Sequence, residues 1–167
     1  MSIEAAEQDA RQRGTWFFQI NFVATKQVKL GSTTGEETIA GGSFEVLQFA
    51  PTFKELDIYE EDEDPQVEWE PSSIYNKLEL IRRGETMAFV KMSDLQSVAL
   101  AEARREHRSI KYFTFNLKKF SRRGGVIAKF DVPMQGVFIL DMRQESPVDK
   151  VLITFSRTTM EGSMPSK

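Results

Sequence analysis

The residues able to do chemistry in this chain are charged and clustered, and they favour binding over catalysis. Arg104, Arg105, Arg108, Lys111, Lys118, Lys119, Arg122, Arg123 and Lys129 fall within a short span, and cations so grouped can follow a row of phosphates. Tyr112 lies among them and offers a ring for base stacking. An opposing feature is the unbroken run Glu60, Glu61, Asp62, Glu63 and Asp64, where mutual repulsion favours an extended, solvated strip able to dock on a basic surface. From Glu36 to Glu70 there are twelve acids and one base, Lys54, whereas from Arg104 to Arg143 there are ten bases and three acids. The net charge of −3 therefore hides a separation that invites pairing within the chain or between copies.

Other chemistries find little support. The chain has no cysteine and a single histidine, His107. A thiol nucleophile is thus excluded and a zinc site of the usual ligands is disfavoured, and the charged neighbours Arg105, Glu106 and Arg108 do not suit the His of a catalytic triad. The acidic run lacks the alternating ligands and central glycine of a calcium loop. Neither Gly41 and Gly42 nor Gly124 and Gly125 has the spacing of a phosphate-binding fingerprint. The turn Ser121–Gly125 could still form a small anion nest. No catalytic residue, metal ligand or cofactor is expected, nor is a small-molecule substrate.

The elements that must position these charges read mainly as β. At 167 residues the chain is about one domain, able to bury roughly two thirds of its unfolded surface. Thirteen Phe suit a β-rich core. Phe113, Phe115 and Leu117 alternate with Tyr112, Thr114, Asn116 and Lys118, the pattern of a half-buried strand. Val126 to Val132 and Val137 to Met142 continue it, so residues 110–142 read as a three-stranded meander. Trp16, Phe18, Ile20 and Phe22 mark an early strand, followed by a turn-rich loop over 31–42 and a strand over 43–49. Residues 74–92 read as a hairpin and 148–157 as a final strand. Ser93 and Gln96 have capping-box spacing, which predicts one helix over about 93–108 with Leu95, Val98, Ala99 and Ala103 on its apolar side.

The expected architecture is an antiparallel β-sandwich or partly open barrel with that one helix. Residues 1–14 read as a flexible arm, 15–157 as a single β-rich domain with an acidic loop over about 51–71, and 158–167 as a loose tail. The polar N-terminus has no apolar signal segment, and no run approaches a membrane span. A cytoplasmic location is expected.

Gly136 to Arg143 (GVFILDMR), an apolar strand ending in Asp and Arg, resembles the strand and aspartate of plant-virus cell-to-cell movement proteins. The whole-chain plan resembles small viral matrix proteins in length and style. These resemblances imply a viral, non-enzymatic protein, possible in a virion. The reading favoured is a structural protein, a homo-oligomer or partner of other assembly subunits, joined through the acidic strip and the basic surface. The alternative is an accessory protein that binds RNA, DNA or an acidic membrane through residues 104–129.

Overall fold

The computed structural model describes residues 2–56 and 69–163, so the acidic run 60–64 lies outside the described residues. The fold is mainly β: two antiparallel sheets that do not close into a barrel. The first sheet comprises β1 (Trp16–Leu30), β2 (Thr33–Glu45), β5 (Tyr112–Phe120), β6 (Val126–Gln135), β9 (Arg157–Thr158) and β10 (Glu161–Ser163). Its order is β10-β6-β5-β1-β2, with β9 also on β6. The second comprises β3 (Gln48–Ala50), β4 (Thr86–Met92), β7 (Phe138–Glu145) and β8 (Val148–Thr154), in the order β3-β4-β8-β7.

Aromatic alternation makes the core. Trp16, Phe18, Ile20 and Phe22 of β1 and Phe113, Phe115 and Leu117 of β5 are buried on one face, because successive strand residues point to opposite sides. Phe49 and Phe89 meet them from the second sheet. The Phe49 ring stands edge-on to Phe18 at 5.1 Å and to Phe115 at 4.9 Å, a geometry the ring quadrupoles favour.

Several expectations are corrected. Residues 74–82 are not a strand but part of a helix that runs from Pro71 to Gly84. Leu78 and Leu80 alternate locally, yet the buried residues are Ile74, Leu78 and Ile81, at helical spacing. Residues 31–42 are mostly not a loop. β2 passes through them, and only the Gly31–Ser32 turn lacks strand structure. The N-terminal residues form α1 (Ile3–Arg13) instead of a loose arm: Ser2 caps it and Ala6 and Ala10 pack on Phe17 and Phe120. The tail contributes β9 and β10. The meander is also broken, because β7 leaves β6 at Gly136 (φ 63°) and pairs with β8 in the other sheet.

With α2 (Phe53–Leu56) and the Pro71–Gly84 helix as α3, the expected helix is α4 (Leu95–Arg105). Its capping box is formed by Asp94 and Ser97, one residue beyond the pair read from sequence. Consequently its buried side carries Ser97, Leu100 and Ala103, while Leu95 and Val98 are exposed.

At the start of α4 sits an unexpected buried cation. Lys91 is wholly enclosed, and its Nζ donates to the Met92 carbonyl at 2.7 Å, Asp94 Oδ1 at 2.7 Å and Ser97 Oγ at 2.8 Å. All three ammonium donors are used, as a buried charge requires. Burial alone would push the Asp94 carboxyl up, but the Lys91 hydrogen bond and charge, with the N–H groups of Ser97 and Gln96, hold it below its ordinary value. Lys91→Met keeps much of the volume but leaves these acceptors unpaired. It should lower unfolding free energy by about 2–4 kcal/mol, measured by urea denaturation followed by tryptophan fluorescence.

Candidate functional site

The feature of this fold best placed to meet another molecule is a two-stranded ribbon. β1 pairs with β5 only from Trp16↔Lys119 to Val23↔Tyr112. Its pairing with β2 continues to Leu30↔Thr33. Ala24–Leu30 and Thr33–Ala40 are therefore hydrogen-bonded to each other and to no third strand among the described residues. Gly31 turns the tip at φ 68°, and Leu30 beside it is 64 % exposed. At the root, Gly42 (φ 149°) lies against α4, where a Cβ would fall 2.4 Å from Gln96 Nε2. The Gln96 amide could swing aside, but that positive φ, which other residues rarely adopt, favours glycine where the ribbon leaves the body.

The expected anion-binding residues are distributed over three places, and most have carboxylate partners. At the end of α4, Arg104 meets Asp141 of β7 at 3.2 Å, Arg105 meets Glu102 at 3.8 Å and Arg108 meets Glu106 at 2.5 Å. At the ribbon's root, Lys111 is paired with Glu36 of β2, beside the exposed Tyr112. Hydrogen bonding to Glu36 raises the Lys111 pKa.

The third group lies around β5 and β6. Lys118 is held by Glu7 of α1 at 2.7 Å, and Lys129 lies 3.5 Å from Asp131. Lys119, next along β5, has the opposite strand parity: its Nζ donates to the Trp69 carbonyl at 3.3 Å. Arg122 and Arg123 are exposed in the β5–β6 turn. In that turn Ser121 Oγ accepts from the N–H groups of Arg123 and Gly125, both at 3.3 Å, and the Ser121 carbonyl accepts from Gly124 N–H at 2.9 Å. Three N–H groups of the nest expected from the two glycines, those of Arg123, Gly124 and Gly125, are thus already engaged within the turn.

Two further surfaces were not foreseen. Across the outer face of the first sheet, Ser43 donates to Asn21, Asn21 to Asn116 at 2.7 Å and Asn116 to Asp131 at 2.6 Å, a polar ladder over four strands. The other is a groove of about 820 Å³ between the end of α4 and β7, lined in part by Arg104, Arg105, His107, Phe138 and Leu140. His107 takes φ 52° at the helix exit. Also unforeseen, the Lys77 ammonium sits 4.2 Å from the Trp69 ring and 4.9 Å from that of Phe49, and burial lowers its pKa to about 8. Among the described residues no group of three or more His, Asp or Glu could hold a metal ion. No helix there is long and apolar enough to cross a membrane.

No protein-family model matches this chain, and no curated protein sequence matches it. Solved structures do. A type six secretion system protein is similar at 12% identity and TM-score 0.46, over 87% of this chain and 82% of that one. Hcp1 from Salmonella typhimurium is similar at 9% identity and TM-score 0.46, over 89% and 93%. The tube-terminating cap of the anti-feeding prophage is similar at 7% identity and TM-score 0.35, over 87% and 88%. The resemblance to viral matrix and movement proteins is thereby corrected: the structural neighbours are a type six secretion system protein, Hcp1 and a prophage tube cap, not members of those families. The stretch behind it, Gly136 to Arg143, is a crossing between sheets followed by an edge strand.

A pH dependence follows from the ground beneath α1. Burial raises the Glu45 pKa; nearby Asp9 raises it further and Arg13 opposes them. The folded state then holds the proton more tightly than the unfolded one, so stability falls as pH rises from the ordinary Glu range through the raised value. Glu45→Gln should raise the thermal midpoint at pH 7, and that gain should vanish as pH falls through the same window, as followed by circular dichroism.

Proposed function

We propose that this chain is a non-enzymatic structural subunit that assembles with copies of itself, as a component of a tube of the secretion-system or prophage-particle kind. The observation that carries self-association is the ribbon. A two-stranded hairpin is marginal in water on its own, and both outer edges of this one lack a strand partner among the described residues. Its sequence, with Val28, Thr33, Thr34 and Thr38, suits a strand covered by a neighbour. A ribbon laid on the next copy would gain that cover. The tube form is taken from the proteins named above; the ribbon, independent of that likeness, supports association.

Charge would set the register of such contacts more than their strength. In this reading the acidic stretch 60–64 of one subunit meets basic side chains of another. Nucleic-acid binding is the weaker use of those side chains. Six of the nine cations named from sequence already face carboxylates: Arg104, Arg105, Arg108, Lys111, Lys118 and Lys129. A run of phosphates would need many of these pairs exchanged together, whereas a short acidic segment needs only two.

The test is to shorten the ribbon, joining Thr25 to Thr38 through Asn-Gly, a pair suited to tight hairpins. Light scattering after size exclusion should find the unaltered chain as a large species and the shortened chain as a monomer with a similar thermal midpoint. An unaltered chain that stays monomeric over a broad range of concentration and salt would sink the proposal.

A further inference from the structure

We propose that the groove between the end of α4 and β7 receives the acidic stretch 57–68 of a second copy, an inference that rests on the self-assembly reading above and gives it a second contact. The groove is apolar where it should be closed. β7 is the last strand of its sheet, and its register with β8 slips between Ile139 and Asp141, leaving Leu140 as an extra residue. Such bulges re-aim side chains at sheet edges. Here Phe138 is 41% and Leu140 50% exposed, side by side on the edge strand. The slip also discourages simple addition of another strand, since a bulge spoils the regular row of backbone donors and acceptors. The site is better suited to an irregular segment that brings its own side chains.

The groove is basic where such a segment would lie. Arg104 and Arg105 belong to its lining, with His107 beyond them. The side chains of Arg104 and Arg105 are 46% and 72% exposed, and their partners Asp141 and Glu102 are 41% and 46% exposed. Solvated pairs of this kind contribute about 0–1 kcal/mol, so both guanidiniums can take incoming carboxylates at little cost. Lys118 differs in being drawn beneath α1 by Glu7, at 29% exposure.

Charge complementarity selects the occupant. Residues 57–68, DIYEEDEDPQVE, contain seven acids and no base, and they also carry Ile58, Tyr59 and Val67. Acids for the two arginines and an aromatic or aliphatic anchor for the Phe138–Leu140 edge thus occur in one stretch. Hot spots join a buried aromatic to a charged rim in this manner.

A mixing experiment separates this inference from the reading beneath it. One full-length variant carries Arg104→Glu and Arg105→Glu; the other replaces residues 60–64 with their amides. Circular dichroism confirms folding, and Arg104→Gln with Arg105→Gln substitutes for the first if it fails to fold. Each variant alone keeps only the ribbon contact and should give a smaller species than the unaltered chain at moderate salt. Mixed, they have one intact acidic stretch and one intact groove between them, so by light scattering the mixture should be heavier than either variant alone. Either variant assembling like the unaltered chain, or a mixture no heavier than the variants alone, would overturn the inference while leaving ribbon-mediated assembly untouched. An unaltered chain that is monomeric would instead remove the underlying reading and this inference with it.

Discussion

The buried ammonium of Lys91 is the point from which the described surfaces take their positions. It lies near the end of β4, a central strand of the second sheet, and binds the residue that caps α4. Because Asp94 also accepts from the N–H groups of Gln96 and Ser97, one carboxylate joins the cation to the helix start. The direction of α4 is fixed there. Ser93 adds a link to β8 through Asp149 at 2.9 Å. At one end of the helix Gln96 abuts Gly42 at the ribbon's root, and at the other Arg104 reaches β7. A single desolvated charge, intolerant of losing any partner, thus sets the geometry of both ribbon and groove.

The first sheet divides its length between stability and reach. The N-terminal half of β1 is covered on both sides, by the aromatic core within and by α1 at its outer end, where Phe17 and Phe120 pack on Ala6 and Ala10. Beyond Val23 the same strand has only β2 as a partner. Stability in such a structure is graded, highest where burial is greatest. The long strand ties an exposed element to the most deeply packed part of the molecule.

Much of this architecture was legible in the sequence where one physical signal dominates. The stripes of Trp16, Phe18, Ile20 and Phe22 and of Phe113, Phe115 and Leu117 announce strands, and both belong to the core. Where two signals compete, local pattern misleads. Leu78 and Leu80 imitate alternation although Ile74, Leu78 and Ile81 form the buried helical face; Thr and Gly over 31–42 imitate a loop although cross-strand pairing with β1 holds them extended. The α1 interface was hidden because it uses small Ala6 and Ala10. The exit of β7 to the other sheet was hidden because period two says which face a residue takes, never which sheet its strand joins.

The same limit governs the charges. Sequence gathers Lys118 and Lys119 as neighbours, but strand parity sends one toward Glu7 on α1 and the other to the Trp69 carbonyl. It separates Lys111 from Glu36 by 75 positions, and the fold joins them. A cluster on the line is therefore not a patch on the surface. What matters for association is how readily each pair can be exchanged. Lys91, enclosed, cannot give up its partners, whereas Arg104 and Arg105, solvated beside an apolar edge, can do so at little cost. In the proposed contact, the charges that would recognise another molecule are ones whose present pairing contributes little to the fold, Arg104 and Arg105 at the exit of the helix that Lys91 aims.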